Sequence, residues 1–145
     1  MTTHHAIRAG HTLIELVLVM IVMSLAALMG IRQFQLLMDR LATRDAVRAA
    51  NFVVARARDD AIAMHTPVSV RIDTGASTLE LRSRDGSISL APLGTTHGVS
   101  LTTTRDSITF DVRGLGYGAA NLTLVARRGR SADTLVVSRL GRTRY

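Results

Sequence analysis

GHTLIELVLVMIVMSLAALMGI, residues 10–31, is the stretch that decides the fold class of this chain. It contains no charged residue from Leu16 to Ile31. A helix from Thr12 to Ile31 would be about 30 Å long, which matches the hydrocarbon core of a bilayer. The stretch therefore predicts one membrane-spanning helix near the N-terminus.

The acid near the start of this stretch, Glu15, is unusual because a carboxylate in a membrane segment costs about 3 kcal/mol and normally needs a partner. Cleavage after Gly10 would create a positive amine on His11, which could neutralise Glu15 of a neighbouring subunit. An ordinary membrane anchor and a secretory signal peptide are the alternatives. A signal peptide requires a small-residue cleavage site after its apolar core, whereas the candidate sites at 24–27 lie inside the run.

The residues around this acid resemble the processing site of type IV prepilins and type II secretion pseudopilins: Gly10, Thr12, Leu13, Ile14, Glu15 and Leu16. The resemblance implies that a prepilin peptidase cuts after Gly10 and methylates the new N-terminus. It also implies that Glu15, the fifth mature residue, guides assembly with other pilins. The first mature residue is usually Phe in this family, whereas it is His11 here. This difference is expected to affect the efficiency of N-methylation more than that of cleavage.

The same resemblance implies a domain organisation and a location. Residues 1–10 are the expected leader peptide, 11–33 the transmembrane half of the N-terminal helix, and 34–145 a soluble pilin-like domain. We expect a single-pass inner-membrane protein whose soluble domain lies in the periplasm before it joins a pilus or pseudopilus. The chain has no cysteine, so it forms neither disulfides nor thiolate metal sites.

Beyond the apolar stretch, a second helical pattern extends to Pro67, which ends helices. Apolar residues recur at steps of three and four, which predicts a helix over 34–65 with one buried face: Ala46, Ala50, Val53, Ala57, Ala61 and Met64. Polar residues fall largely on the opposite face: Arg44, Arg48, Asn51 and Arg58.

After Pro67 the pattern changes to period two, which is typical of strands. Segments 68–72 and 79–81 predict a hairpin. Further strands are predicted at 87–91, 98–103, 107–112, 121–126 and 133–138. The expected fold class is therefore α+β, in which the long N-terminal helix packs on an antiparallel sheet domain over 68–145. This is also the pilin architecture that the processing site implies.

The glycine-rich segment RGLGYG, residues 113–118, interrupts the strands and has two interpretations. Its three glycines are typical of a structural loop. The GxGxG pattern also resembles a phosphate cradle, but no helix follows whose N-terminus could hold the phosphate.

The charge of the chain is concentrated near its C-terminus. All eighteen basic residues are Arg and the formal net charge is +7. From Arg113 onward seven Arg oppose Asp133 alone, a balance of +6. Because Arg binds phosphate through a planar, permanently charged fork, a polyanion is the natural partner. Scattered arginines that only keep the domain soluble are the alternative.

The C-terminal segment DTLVVSRLGRTRY, residues 133–145, combines an apolar strand, a turn at Gly141 and an extended tail that would present three arginines together: Arg139, Arg142 and Arg144. Three more arginines occupy the preceding turn RRGRSA: Arg127, Arg128 and Arg130. If strands 121–126 and 133–138 pair, that turn lies at the opposite end of the hairpin from the tail. The two groups then form a stripe rather than one spot.

The ending Gly141–Arg144 resembles the GRxR tail of the FimT/GspH minor pilin family, and TFDVRGLGYG at 109–118 resembles that family's mid-domain loop. In FimT-like minor pilins this tail is implicated in DNA binding during natural transformation, which implies phosphate contacts by Arg142 and Arg144 and a turn at Gly141. GspH-like pseudopilins of type II secretion share such an ending and remain the alternative. With three Phe and two Tyr the chain has no aromatic ladder, so double-stranded DNA is the expected form.

Residues for catalysis are missing from the sequence. The chain has no Cys and no GxSxG elbow, and no pair of its His residues has the i, i+4 spacing of a helical zinc site. His65 near Asp59 and Asp60 lacks a nucleophile to activate. We therefore expect no enzyme, no catalytic residues, no metal and no cofactor.

Overall fold

A computed structural model describes residues 12–117 and 121–145 of the chain. The expected leader with its cleavage residues Gly10 and His11, and also Gly118, lie outside the described residues. The chain divides into two compact units between Gln35 and Leu36.

Helix α1 runs from Leu13 to Met64. It begins at a Thr-x-x-Glu sequence in which the Glu15 amide donates to the Thr12 carbonyl oxygen at 3.1 Å and to its hydroxyl at 3.4 Å. This hydroxyl takes up one of the amide groups that a helix start leaves unpaired. Among the described residues, α1 is the one helix long and apolar enough to cross a membrane, and an 18-residue stretch of it has a mean hydropathy of 2.5.

The part of α1 that follows Leu36 has one buried face. Its buried residues are mostly small: Thr43, Ala46, Val47, Ala50, Val54, Ala57 and Ala61. The predicted face is confirmed at Ala46, Ala50, Ala57 and Ala61, whereas Val53 is half-buried beside the buried Val54, and Met64 is 50% exposed at the end of the helix. His65 has a positive φ of 51°, and Pro67 follows, so the chain turns out of the helix one residue before the predicted end.

Eight strands occur in the described residues: β1 Val68–Asp73, β2 Thr78–Ser83, β3 Gly86–Ala91, β4 Ser100–Thr103, β5 Ser107–Phe110, β6 Leu122–Arg128, β7 Ser131–Val137 and β8 Thr143–Arg144. They form two four-stranded antiparallel sheets. Sheet 1 has the order β3-β2-β1-β5, and sheet 2 has the order β4-β6-β7-β8. A short helix α2, Leu93–His97, connects β3 of sheet 1 to β4 of sheet 2.

One hydrophobic core joins the buried face of α1 to both sheets. Strands β1, β2, β5, β6 and β7 bury alternate residues, as a sheet with one buried face requires, whereas β3 and β8 bury none. β1 buries Val68, Val70 and Ile72, whereas β6 buries Leu122, Leu124 and Ala126. Phe110 at the end of β5 is the largest fully buried side chain. The α+β fold class, with a long N-terminal helix packed on antiparallel strands, is confirmed.

The structure differs from the sequence-based expectation in three respects. The strands form two sheets rather than one, α2 was not predicted, and the C-terminal tail is not a free extended segment. Instead the tail folds back as β8, where Thr143 pairs with Val137 and Arg144 pairs with Val136 of β7. The tail is therefore held to the edge of sheet 2.

Candidate nucleic-acid interface

The C-terminal turn, residues 138–142, connects β7 to β8. Ser138 is bonded at three points, because its amide donates to the Arg142 carbonyl oxygen at 2.8 Å, its carbonyl oxygen accepts from Gly141 at 2.9 Å, and its hydroxyl accepts from the Arg142 amide at 3.1 Å. Backbone hydrogen bonds thus fix the turn on both sides of Leu140. The side chains of Arg139 and Arg142 project from it into solvent.

Gly141 is required in this turn for two reasons. Its φ of 72° lies in the left-handed region. A residue with a Cβ adopts this backbone conformation only at a cost in conformational energy. A Cβ at this position would also lie 3.3 Å from Arg58 Cδ and 3.3 Å from the Gly114 carbonyl oxygen. The predicted turn at Gly141 is therefore present, and it packs closely against α1 and a second loop.

That second loop, residues 111–117, is called here the glycine loop. The Asp111 carboxylate organises it by accepting from the Arg113 amide at 2.9 Å and the Leu115 amide at 2.8 Å. The Arg113 guanidinium also pairs with the second carboxylate oxygen at 3.1 Å. The hydrogen bond from the Leu115 amide, helped by those from Arg113, lowers the pKa of Asp111 below that of an ordinary aspartate.

Hydrogen bonds fix the glycine loop to the C-terminal turn and to sheet 1. The Gly116 amide donates to the Arg139 carbonyl oxygen at 3.0 Å, and the Tyr117 amide donates to the Thr109 carbonyl oxygen at 2.7 Å. The Gly114 amide donates to the Asp111 carbonyl oxygen. Because the amides of Gly114, Leu115 and Gly116 are occupied in this way, they are not available to a phosphate, and residues 111–117 form a structural connection.

The glycine loop and the C-terminal turn together line an open cleft with a volume of about 320 Å³. Two arginines line it, Arg113 and Arg139, together with the side chains of Tyr117 and Leu140. Tyr117 is 77% exposed and Leu140 is 58% exposed. The surface around the arginines is therefore partly apolar and open to a large ligand.

Three arginines of the predicted C-terminal group lie on or beside the C-terminal turn: Arg139, Arg142 and Arg144. All three are exposed, and none has a carboxylate within 4.0 Å among residues 12–117 and 121–145. Their charges are thus available to an external anion. Arg113 contributes less positive charge because Asp111 partly neutralises it.

The second predicted group lies at the other end of the β6–β7 hairpin. Arg127 faces Ala132 and Arg128 faces Ser131 next to the turn, whereas Leu122 faces Val137 at the far end. Leu122 and Arg127 are five residues apart along β6, which corresponds to about 17 Å in an extended strand. The six predicted arginines therefore form two clusters and not one spot.

Within the second group the three arginines have different surroundings. Arg128 pairs with Asp39 of α1 at 3.1 Å and donates to the His97 carbonyl oxygen at 2.7 Å, so it connects the hairpin turn to α1 and α2. Arg127 and Arg130 are exposed. Arg127 lies on the outer face of sheet 2, as does Arg144 through its pairing with Val136. A long polyanion that followed this face would meet both.

Sequence reasoning missed one residue that supports the site. Arg58 was expected on the polar face of α1, but it is half-buried, and its side chain lies between Gly114 and Gly141. No local pattern indicates this, because the contacts join residues 56 and 83 positions apart. By contrast, an Asp followed two residues later by an amide donor, as at Asp111 and Arg113, is typical of an Asx turn, so this part of the loop could have been predicted from the sequence.

Glu15, the predicted assembly residue, lies in the first turn of α1 with its side chain exposed. In the described residues no three side chains of His, Cys, Asp or Glu converge as metal ligands would.

Comparisons with known proteins give a fold-level match. No protein-family model and no curated protein matches the sequence. The type IV minor pilin FimU of Pseudomonas aeruginosa is similar in structure, with a TM-score of 0.57 at 15% identity over 70% of this chain and 90% of that one. The minor pseudopilin EpsH from the type 2 secretion system of Vibrio cholerae also has a TM-score of 0.57, at 15% identity over 70% of this chain and 94% of that one. The chain thus has the fold of minor pilins and minor pseudopilins.

Proposed function

We propose that this protein is a FimT-like minor pilin that joins a type IV pilus and binds double-stranded DNA, contributing to DNA uptake in natural transformation. In this role the chain is a structural subunit and not an enzyme. Its fold, the apolar N-terminal part of α1 and the basic C-terminal third support the proposal. The observation that carries it is the C-terminal turn with the adjoining β8, where Arg139, Arg142 and Arg144 project from a hydrogen-bonded backbone and have no carboxylate partner among the residues that the structure describes.

A rigid turn matters for binding because arginines held in position lose less conformational freedom when they contact phosphate. The arginines most directly concerned are Arg142 and Arg144, with Arg139 beside them and Arg127 and Arg130 further along sheet 2. Arg128 contributes mainly through its pairing with Asp39. Contacts of this kind read no bases, so the expected binding is independent of sequence and weakens with salt.

Double-stranded DNA fits this surface better than single strands. Binding of single strands relies on successive bases stacking on aromatic rings. Two tyrosines of the described residues, Tyr117 and Tyr145, are exposed near the arginines, with 77% and 65% exposure. Two rings fall short of a ladder, whereas arginine side chains on an open sheet edge suit the backbone of a duplex.

Assembly in this proposal begins at the N-terminus. Prepilin peptidase cuts after Gly10 and methylates His11, and residues 11–33 anchor the subunit in the inner membrane with domain 34–145 in the periplasm. The amine of one subunit then neutralises Glu15 of another pilin as the filament forms. The exposed apolar side chains from Leu13 to Ile31 provide the surface that lipid first covers and neighbouring helices cover later.

The test is DNA binding by residues 34–145, which contain the whole hydrophobic core, measured by fluorescence anisotropy across a salt series. The variant Arg142→Ala/Arg144→Ala removes two phosphate contacts. We expect weaker binding to every duplex sequence and a salt slope, in log K against log salt, that is smaller by about 2.

The matched control is Arg71→Ala/Arg84→Ala, which removes the same charge from exposed positions of the other sheet region. It should bind DNA nearly as well as the parent. If both variants lose equal affinity, net charge and not the C-terminal turn governs binding. If the parent does not bind at low salt, DNA binding by this protein is excluded.

A GspH-like minor pseudopilin of type II protein secretion is the second candidate. The similarity to EpsH supports it as strongly as the similarity to FimU supports a pilus subunit, because both TM-scores are 0.57. In that case the arginine surface would contact other pseudopilins or secreted proteins. A parent that fails to bind DNA but restores secretion in a strain lacking its own minor pseudopilin would establish this alternative.

A further inference from the structure

Strand β7 has one edge that is only partly paired. On one side it pairs with β6 along its whole length, Ser131–Val137, whereas on the other side it pairs with β8 at Val136 and Val137 alone. Within residues 12–117 and 121–145 no further strand pairs with that second side. Sheet 2 therefore has a free edge along residues 131–135, which we call the β7 edge.

The backbone groups that point out of the β7 edge follow from the alternation of an antiparallel strand. The Ser138 amide donates to the Arg142 carbonyl oxygen, so the backbone of Ser138 faces the β8 side. The backbone groups of every second residue point to the same side, and those of Ala132 and Thr134 therefore point out of the β7 edge. The Thr134 amide donates to the Asp133 carboxylate at 2.8 Å. In the described part of the chain, the Ala132 amide and the carbonyl oxygens of Ala132 and Thr134 have no backbone partner.

Beside the β7 edge lies an open groove of about 660 Å³, which α1 borders on its other side. We call it the helix groove. Residues 130–133 form one wall, and four side chains of α1 line the other: Leu37, Arg40, Leu41 and Arg44. Their spacing i, i+3, i+4, i+7 places them on one face of α1. Leu37 is 52% exposed and Leu41 is 45% exposed. The groove thus offers apolar and charged side chains next to unpaired backbone groups.

The helix groove is positively charged. Three arginines line it, and in the part of the chain that the structure describes none of them has a carboxylate within 4.0 Å: Arg40, Arg44 and Arg130. The neighbouring acid Asp39 pairs instead with Arg128. Asp133 is the one acid among the described lining residues, so three positive charges oppose one negative charge, a net +2. This charge favours an acidic partner.

The unpaired backbone groups decide between two kinds of acidic partner. A free strand edge binds an extended peptide, which supplies both donors and acceptors along its main chain. The phosphate backbone of DNA supplies acceptors but no donor for the carbonyl oxygens of Ala132 and Thr134. The β7 edge therefore fits a peptide better than a nucleic acid.

We propose that the β7 edge and the helix groove bind an extended, acidic peptide segment of a neighbouring protein. The segment adds to sheet 2 as a strand antiparallel to β7, as all strands of this sheet are to their neighbours. Its acidic side chains contact the groove arginines, and its apolar parts contact Leu37 and Leu41. This interaction is separate from the C-terminal turn and does not depend on DNA binding.

The orientation of the bound segment follows from the faces of β7. Leu135 and Val137 are buried, so the side chains of Ala132 and Thr134 lie on the outer face of sheet 2. Directly opposite residues of antiparallel strands have their side chains on the same face. The residues of the segment that hydrogen-bond to the β7 edge therefore have outward side chains, and the intervening residues face α1.

The test uses the full chain in a non-ionic detergent and a fluorescein-labelled peptide in which Glu alternates with Val. Fluorescence anisotropy measures its affinity. N-methylation removes chosen backbone donors without changing the charge. With Glu facing α1, the Val residues bond to the β7 edge, so methylation of the Val amides should weaken binding about tenfold or more. Methylation of the Glu amides is the matched control, because those amides point away from β7, and it should leave the affinity near that of the parent peptide.

Variants of the protein test the two parts of the site separately. Ala132→Pro removes the amide that points out of the β7 edge, at the kind of edge position where proline is tolerated. It should bind the Glu–Val peptide about tenfold more weakly, and circular dichroism checks that it is folded. Arg40→Gln/Arg44→Gln/Arg130→Gln should also weaken binding about tenfold. The control Arg71→Gln/Arg84→Gln/Arg105→Gln removes equal charge from exposed positions elsewhere and should bind as the parent does.

Four results would overturn the proposal. The parent protein does not bind the Glu–Val peptide at low salt, the two methylated peptides bind equally well, a folded Ala132→Pro variant binds at the parent level, or the groove and control variants lose equal affinity. A groove variant that keeps peptide binding but loses binding to duplex DNA would also overturn it, and would assign the helix groove to DNA.

Discussion

At the scale of single residues, Asp111 is the centre of the glycine loop. Its carboxylate accepts hydrogen bonds from two amides and from the Arg113 guanidinium. The hydrogen bond from the Leu115 amide has the largest effect, and together these bonds lower the pKa of Asp111 in the folded protein below its usual value. Because the folded pKa is depressed, the carboxylate stabilises the fold above the pKa of the unfolded chain. That contribution disappears as the pH falls through the folded pKa.

Asp111→Asn is therefore expected to lower stability at neutral pH and to reduce the loss of stability between neutral pH and about pH 3. Urea denaturation of residues 34–145 at a series of pH values measures both effects. Asp85→Asn, at an exposed acid in the β2–β3 turn, is the control and should behave as the parent. Identical pH profiles for Asp111→Asn and the parent would contradict this role of Asp111.

Gly141 gives a second prediction at this scale. Gly141→Ala places a Cβ in a left-handed backbone conformation and against Arg58 and Gly114, so we expect a loss of about 1–2 kcal/mol in the free energy of unfolding. Gly141→Asn should lose less, because Asn tolerates this conformation better. Equal losses would mean that crowding rather than backbone strain dominates, and an unchanged Gly141→Ala variant would contradict the described turn.

At the scale of elements, small residues let α1 lie close to the sheets. Ala46, Ala50, Ala57 and Ala61 are completely buried. Ala57→Leu should overpack this contact and lower the free energy of unfolding by about 1–3 kcal/mol. The exposed neighbour Ala55→Leu adds the same side chain without crowding and is expected to have little effect. Thermal denaturation of both variants tests the packing, and equal stability of the two would contradict it.

The elements also show how far the sequence determines the fold. Repeated spacing predicts α1 and the β1–β2 hairpin because both patterns extend over many residues. The five-residue α2 and the two-residue β8 are too short to have a period, and tertiary contacts decide them. The same dependence on tertiary contacts limits how much of the candidate site can be predicted from the sequence. Sequence reasoning identified Gly141 and the C-terminal arginines, but the half-buried position of Arg58 depends on contacts between distant segments.

At the scale of the whole molecule, the proposed function requires the N-terminal helix to assemble with neighbouring pilins while the soluble unit folds independently of that contact. Glu15→Gln removes the charge that would pair with a neighbour's N-terminus but keeps a side chain that can accept hydrogen bonds. We expect fewer subunits in purified pili, as measured by immunoblotting, and an unchanged unfolding curve for residues 34–145. Glu15→Gln subunits present in pili at the parent level would contradict the assembly role.

The measurement that tests the central claim most directly is uptake of labelled DNA by cells whose only copy of this chain is Arg142→Ala/Arg144→Ala, with piliation measured in the same cells. The side chains of Arg142 and Arg144 are exposed and lie outside the hydrophobic core, so we predict that pili form at the parent level while DNA uptake falls. The Arg71→Ala/Arg84→Ala strain should show parent levels of both. Parent-level uptake in the Arg142→Ala/Arg144→Ala strain would contradict the claim that this protein is a minor pilin that binds DNA through its C-terminal arginines.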